Sequence, residues 1–263
     1  MAERGQRGTP RYARYVALGD SQTEGIGDGD DLRGHRGWAD RLADLLAAEN
    51  PDLRYANLAV RGRLAGQVRA EQLGPALALR PDLVTVVAGA NDVLRPGCDV
   101  AAVVADLDAM FAALTGAGAT VATLTFPDVA KIAPLARRLA PRIDELNAYI
   151  RESAATHGVL VADSAPHPVT TDPRIWSADR LHASPLGHQR IAECAAHAIG
   201  LPGHEDWAAP LPPLPARGPV RRAAAEARWA GTFLGPWALR RLRGRSSGDG
   251  RTAKRPELVR VLP

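Results

Sequence analysis

Over the first 200 residues, short apolar runs alternate with longer amphipathic stretches. The apolar runs, which predict buried strands, are Tyr15–Leu18, Leu53–Leu58, Leu83–Ala88, Thr120–Thr125 and Val159–Val161. The amphipathic stretches, which predict helices, are Trp38–Glu49, Gly66–Leu79, Val100–Thr115, Leu135–Thr156 and Pro185–Ile199. Alternation of this kind is typical of a parallel sheet covered by helices on both faces. The pattern therefore predicts an α/β fold with a five-stranded parallel sheet.

The composition changes at about Leu201, where a proline-rich segment begins. Residues 201–219 predict an extended linker or a strap over the surface. A helix is predicted from Val220 to about Arg243, with a kink or break at Gly235-Pro236, and the residues after it are typical of disorder. We expect three parts: a main domain over 1–200, a Pro-rich linker over 201–219, and a basic C-terminal helix with a disordered tail over 220–263.

The net charge of +4 is unevenly distributed along the chain. From Arg217 onward there are 12 Lys and Arg against 3 Asp and Glu, a net charge of +9, which leaves −5 for the residues before it. The tail helix carries an aromatic stripe of Trp229, Phe233 and Trp237. This stripe either packs on the main domain or makes peripheral contact with an anionic membrane. No nucleic-acid recognition motif accompanies the basic residues, so no nucleic-acid partner is expected.

The compartment is predicted from what the apolar segments and cysteines allow. The sequence has no apolar run of about 18 residues, the length that a transmembrane helix needs, and its basic beginning is not followed by an apolar signal segment. The expected compartment is therefore the cytoplasm. Cys98 and Cys194 are expected to be free thiols without a catalytic role.

Reactive groups follow four of the five predicted strands. Ser21 follows the first strand, Gly62 the second and Asn91 the third, while Asp179 and His182 end the loop after the fifth. Ligands of an open parallel sheet bind beyond the carboxyl ends of its strands. We therefore expect these residues to lie together on one rim.

Together these residues satisfy the requirements of acyl transfer. A serine hydroxyl needs an adjacent base, for which His182 is the candidate, and Asp179 is close enough in sequence to hold the imidazole in one tautomer. The backbone N–H groups of Ser21 and Gly62 and the side-chain amide of Asn91 are candidate donors to an oxyanion.

Each of these residues also has an ordinary structural interpretation when it is taken alone. Ser21 is then a helix N-cap, Gly62 a turn residue with positive φ, and Asn91 a turn residue beside a glycine. Asp179 and His182 are then an exposed polar turn. The occurrence of all of them in register favours catalysis. His188, on the last predicted helix of the main domain, is interpreted as a structural or surface residue.

The same residues resemble the SGNH (GDSL) hydrolase superfamily. GDSxxxG follows the first predicted strand, a glycine the second and GxND the third, and DxxH precedes the last helix. The positions that match are Ser21, Gly62, Asn91 and His182, with Asp179 as the partner of the histidine. The resemblance covers Tyr15 to about Gly200, and the tail lies outside it.

The resemblance implies a flavodoxin-like three-layer α/β/α sandwich and a serine esterase. No compact ligand pattern accompanies His182, His188 and the nearby acidic residues, so neither a metal nor another cofactor is expected. The superfamily also contains carbohydrate deacetylases, lipases, lysophospholipases and thioesterases, which stay open as alternatives. Two non-enzymatic alternatives are a catalytically silent binding module and a protein tethered to a membrane by its basic tail.

The expected partner is a small-molecule acyl ester. Arg95 and Trp176, in predicted loops on the same rim, are candidate substrate contacts. The sequence leaves the acyl group, the alcohol and the oligomeric state open.

Overall fold

Five parallel strands and one antiparallel strand form the main sheet, in the order β7-β6-β5-β1-β4-β8. The computed structural model describes residues 11–215, 218–242 and 246–262. The strands are β1 (Arg14–Gly19), β4 (Arg54–Asn57), β5 (Leu83–Val87), β6 (Thr120–Leu124), β7 (Leu160–Ala162) and β8 (Arg255–Arg260). A separate two-stranded hairpin consists of β2 (Gly29–Asp30) and β3 (Gly34–His35).

Helices cover both faces of the sheet. The α-helices of the described residues are α1 (Ser21–Glu24), α2 (Trp38–Glu49), α3 (Ala65–Ala78), α4 (Ala90–Val93), α5 (Val100–Gly116), α6 (Val129–Ile132), α7 (Ala140–His157), α8 (Pro185–Ala198), α9 (Pro219–Trp229) and α10 (Gly235–Leu242). One core cluster joins α3, α5 and α7 to the sheet, and the other joins α2 and α8 to its opposite face. The predicted three-layer α/β/α fold is confirmed.

Residue alternation along β1 shows how one strand serves both cores. Val16 and Leu18 belong to the cluster with α5, whereas Tyr15 and Ala17 belong to the cluster with α2. Successive side chains of a strand point to opposite faces, so a strand covered on both sides reads as a continuous apolar run.

The predicted count of five strands is wrong, because β8 adds a sixth. It comes from the segment for which we predicted disorder. β8 runs antiparallel to β4, pairing Arg54 with Arg260 and Tyr55 with Val259. Most of its residues are exposed or half-buried, so it lacks the apolar run that identifies a central strand. Its pairing satisfies backbone groups that β4 would otherwise leave open as an edge strand.

Two predicted helices have different boundaries in the structure. The stretch from Leu135 begins as a 3₁₀ helix, Pro134–Leu139, before α7. The tail helix is divided into α9, a π-helical turn at Ala230–Leu234, and α10. Pro236 has no N–H to donate to the preceding turn, which accounts for the irregular hydrogen bonding there.

The Pro-rich segment and the tail helix both pack on the rest of the chain where their contacts are described. Leu201 and Trp207, at the start of the proline-rich segment, are buried in the cluster with α8, and Trp229 of the aromatic stripe is buried too. The division into a domain, a linker and a tail stays a prediction, as does membrane contact. Among the described residues, no helix combines the length and apolarity needed to cross a membrane.

Candidate active site

Ser21 begins α1 directly after the central strand β1. Asp20 lies between strand and helix as the N-cap, and its Oδ1 accepts a hydrogen bond from the Gln22 N–H at 3.2 Å. This short turn places the Ser21 side chain at the carboxyl end of the sheet, where ligands of such folds bind.

The structure brings Ser21, His182 and Asp179 into one hydrogen-bonded chain. The Ser21 hydroxyl lies 3.0 Å from His182 Nε2, and His182 Nδ1 lies 2.6 Å from Asp179 Oδ2. An ionised carboxylate only accepts hydrogen bonds, so the imidazole proton sits on Nδ1 and Nε2 is left to accept from the hydroxyl. This is the geometry that a serine nucleophile with a histidine base requires.

Asp179 is held in the ionised form. Burial raises its pKa, but hydrogen bonds and charge from His182, with a further bond from Ser177, outweigh burial and hold the pKa well below the usual range. Asp179 Oδ1 accepts from Ser177 Oγ at 2.6 Å and from the N–H groups of Leu181 and His182 at 2.9 and 3.0 Å. One carboxylate therefore fixes both the histidine ring and the turn that carries it.

Gln22 connects the turn Asp20–Ser21 at the start of α1 (the serine turn) to the turn Asp179–His182 (the histidine turn). The sequence did not predict this role. Its Nε2 donates to the Leu181 carbonyl at 3.0 Å, and its Oε1 accepts from the Ala183 N–H at 3.2 Å. The amide thus bonds on both sides of His182. The only signal in the sequence was the position of Gln22 directly after Ser21.

Asn91 lies between the serine turn and the Gly62 turn. Its Nδ2 is 2.9 Å from Asp20 Oδ2 and 3.1 Å from the Arg63 carbonyl. Gly62 has a φ of 79°, a conformation that favours glycine. The residues predicted as oxyanion donors therefore lie in three adjoining turns, joined by the Asn91 amide.

The carboxyl of Asp20 is buried beneath these turns. Burial raises its pKa to about 6, although the Gln22 N–H, the charge of His182 and the Asn91 amide act in the opposite direction. Asp20 contributes acceptor atoms that hold Gln22 N–H and Asn91 in place.

A buried ion pair supports the Gly62 turn. Glu24 accepts from the Arg61 N–H at 2.6 Å with Oε2 and from Arg61 Nε at 2.9 Å with Oε1. A charged pair that also satisfies a backbone donor fixes the chain more firmly than a surface contact does. Neither residue was singled out by sequence, because the pairing joins turns that follow different strands.

An apolar pocket of about 70 Å³ adjoins the site. Gln22 and Ala183, the neighbours of Ser21 and His182, form part of its wall with Trp38, Phe126 and Trp176. The predicted substrate contact Trp176 thus lines a pocket beside the serine. The other predicted contact, Arg95, is exposed and lies outside this pocket; its carbonyl accepts a hydrogen bond from Arg142 at 3.1 Å.

Within the described ranges, no cluster of three or more His, Cys, Asp or Glu side chains suits a metal ion. Cys98 and Cys194 are free thiols. Burial raises the pKa of the Cys194 thiol to about 12, which keeps it protonated and unreactive at neutral pH.

The sequence and the fold of the chain are similar to those of known proteins. A family model described as the GDSL-like Lipase/Acylhydrolase family matches residues 17–190. LAE5, an alpha/beta hydrolase enzyme from the metagenome of Lake Arreo in Spain, is 24% identical over 72% of this chain and 95% of its own, with a TM-score of 0.61. Axe2, an acetylxylan esterase from Geobacillus stearothermophilus, is 19% identical over 72% of this chain and 94% of its own, with a TM-score of 0.59. These likenesses show a shared fold. No curated protein matches the sequence.

His188 is a structural residue held in the neutral form. Its Nδ1 accepts from the Trp38 N–H at 3.1 Å, so Nε2 carries the proton and donates to the Ile26 carbonyl at 3.0 Å. Burial lowers the pKa of His188 from 6.5 to about 4. The interpretation of His188 as structural agrees with these contacts.

We expect the protein to lose stability as the pH falls from 6.5 to 4, because His188 takes up its proton earlier in the unfolded chain than in the folded one. The shift of the His188 pKa corresponds to about 3 kcal/mol in the free energy of unfolding. In urea denaturation, the free energy of unfolding of the variant His188→Gln should fall less than that of the wild type between pH 6.5 and 4. The exposed His197→Gln variant serves as the control and should follow the wild type. Equal slopes for wild type and His188→Gln would contradict the assignment.

Proposed function

This chain belongs to the GDSL-like Lipase/Acylhydrolase family and hydrolyses ester bonds, and from this premise we propose that Ser21, His182 and Asp179 form its catalytic triad. The observation that carries the proposal is the hydrogen-bonded chain from the Ser21 hydroxyl through His182 to Asp179. The resemblance found in the sequence is confirmed at the level of the family.

In the proposed reaction, His182 Nε2 takes the hydroxyl proton as Ser21 Oγ attacks the ester carbonyl. Asp179 stabilises the imidazolium that forms. The imidazolium then gives its proton to the departing alcohol, which leaves an acyl-serine. Water, deprotonated by His182, attacks the acyl-serine and releases the acid, and the proton returns to Ser21.

We propose that the negative oxygen of each tetrahedral intermediate is bound by the N–H groups of Ser21 and Gly62 and by Asn91. Asn91 Nδ2 lies between the two turns that carry those N–H groups. The amide donates to the oxyanion in exchange for its bond to the Arg63 carbonyl. Donors already fixed by the fold need little reorganisation when charge develops.

Structures of catalytic mutants of the Axe2 acetylxylan esterase support the triad. In them a Ser, an Asp or a His is replaced by Ala, and the Asp precedes the His by three positions. Asp179 precedes His182 by the same interval. The mechanism proposed for this chain is independent of metal, because side chains and backbone N–H groups supply the base and the oxyanion donors.

The apolar pocket beside Gln22 and Ala183 is proposed to receive the acyl group. Its aromatic and aliphatic lining suits a hydrocarbon group, and its volume of about 70 Å³ favours acetyl and other short acyl groups over a lipid chain. A carbohydrate O-deacetylase is therefore the second candidate, since the acetylxylan esterase Axe2 shares the fold.

Aryl esters of increasing acyl length should be hydrolysed with a kcat/KM that falls from short to long acyl chains, because the pocket is small. Enlarging the pocket by Trp176→Ala should shift the preference to longer chains, whereas Arg95→Ala, outside the pocket, should leave it unchanged. Acetylated xylose tested beside the aryl acetate distinguishes a deacetylase from a carboxylesterase. A preference for long acyl chains in the wild type would overturn the pocket assignment.

Ser21→Ala should abolish labelling by a fluorophosphonate probe and lower kcat by at least about 10³-fold, because the nucleophile is lost. Ser153 gives a matched control, since it also lies in a cluster with an Asp and a His. There Asp108 Oδ1 lies between Ser153 Oγ and His157 Nε2, at 2.7 and 2.8 Å, so the serine hydroxyl faces a carboxylate and not the imidazole. Ser153→Ala should keep labelling and activity. Labelling that persists in Ser21→Ala would refute the triad.

Asn91→Ala should lower kcat about 10²–10³-fold with little change in KM, which is the usual loss for one oxyanion donor. Stopped-assay kinetics and a thermal melt of each protein separate this effect from unfolding. Asn50→Ala, at the end of α2, removes an amide remote from the site and should leave kcat unchanged. An unchanged kcat in a folded Asn91→Ala protein would exclude the amide from the reaction.

A further inference from the structure

The helix α9 contacts the turn that carries Asp179 and His182. Trp229 Nε1 donates to the backbone carbonyl of Asp179 at 2.9 Å. Arg180 Nη1 is paired with Glu226 at 2.7 and 2.8 Å to its two carboxylate oxygens. Both contacts come from residues beyond 190, where the family match ends.

The side chain of Arg180 is a second contact between the turn and α9. Its φ is 57°, in the left-handed region that residues other than glycine seldom adopt. Its guanidinium lies over the Trp229 ring, 4.9 Å from the centroid, while Glu226 neutralises its charge. An unusual backbone conformation persists when surrounding contacts fix it, and here α9 supplies those contacts.

The C-terminal segment also touches the Gly62 turn on the other side of Ser21. Ser246 Oγ lies where a Cβ on Gly62 would project, and a Cβ on Gly248 would overlap the Arg61 carbonyl. Asp31 joins the Gly62 turn to the C-terminal segment, since Arg61 Nη2 and Arg251 Nη2 donate to its two carboxylate oxygens at 2.9 and 2.6 Å.

Lys254 fastens the same part of the segment near Ser21. Its Nζ donates to the Glu24 carbonyl, at the end of α1, and to Asp40 Oδ2, each at 2.6 Å. β8 follows directly and completes the sheet. The described parts of the segment, 218–242 and 246–262, are thus anchored to the histidine turn, the serine helix and the Gly62 turn.

We propose that this C-terminal segment is an integral part of the active site, and that Glu226 and Trp229 are positioning residues for the Asp179–His182 turn. This inference rests on the proposed triad. Packing of the aromatic stripe on the main domain was one of the two interpretations of the tail offered by the sequence. In the proposed role, the contacts of Glu226 and Trp229 hold the backbone of the catalytic acid and the neighbouring Arg180, so His182 keeps its alignment with Ser21.

Removing the contacts that Glu226 and Trp229 make with the histidine turn should lower turnover without weakening substrate binding. Small misplacement of a catalytic group costs up to about 10²-fold in rate, so we expect Glu226→Ala to lower kcat about 10-fold or more with KM little changed. Trp229→Phe, which keeps the ring and removes the N–H donor, should lower kcat in the same direction. Glu226→Asp keeps the charge and should recover part of the loss. The control is Glu152→Ala, an exposed glutamate of α7 outside the segment, which should leave kcat unchanged.

The measurement is kcat per active site in the full-length protein, with sites counted by fluorophosphonate titration. A merely structural role would reduce the number of titratable sites and leave kcat per site unchanged, and that result would overturn the proposal. Hydrogen exchange of the 179–182 peptide gives a readout independent of activity, and it should be faster in Glu226→Ala.

The two proposals fail in different ways. If the wild type shows no turnover that depends on Ser21, the triad fails. Hydrogen exchange of the 179–182 peptide then still decides whether α9 holds the turn. An exchange rate in Glu226→Ala equal to that of the wild type would refute the positioning role of Glu226.

Discussion

The pairing of β1 with β5 on one side and β4 on the other is the constraint on which the site depends. Parallel strands end at the same edge, so the turns after these three strands are neighbours. They carry Asn91, Ser21 and Gly62. The histidine turn does not follow a neighbouring strand; it reaches Ser21 by the long connection after β7. Three groups are therefore placed by the sheet, and the fourth is placed by side-chain contacts.

Buried and half-buried polar side chains form a hydrogen-bonded network around Ser21. Gln22 bonds on both sides of His182, Asp20 bonds to Asn91, and Glu24 bonds to Arg61. A buried polar group without a partner costs free energy, so a satisfied network tolerates few alternative arrangements. The network links the turns to one another, and the position of each group depends on its neighbours.

Local signals made much of the fold predictable from the sequence. The five parallel strands are apolar runs, and Ser21, Asn91 and His182 stand in short motifs at strand or helix ends. β8 was not predictable in this way, because its stability comes from pairing with the distant β4 and its residues are largely exposed. Gln22, Arg61 and Arg180 were missed because their roles depend on partners far away along the chain. Arg95 was predicted as a substrate contact from its loop position alone; it lies outside the apolar pocket, and its contact with substrate stays a prediction.

The order of β4 and β8 along the chain has a consequence for biosynthesis. Arg255 follows Asn57 by 198 positions, yet the two residues are paired in the sheet. At about 5–20 residues per second, translation of the intervening chain takes on the order of 10–40 s. During that interval β4 exposes an unpaired edge of the kind that recruits strands of other chains. Chaperone protection of the nascent chain is therefore most valuable between the synthesis of these two strands.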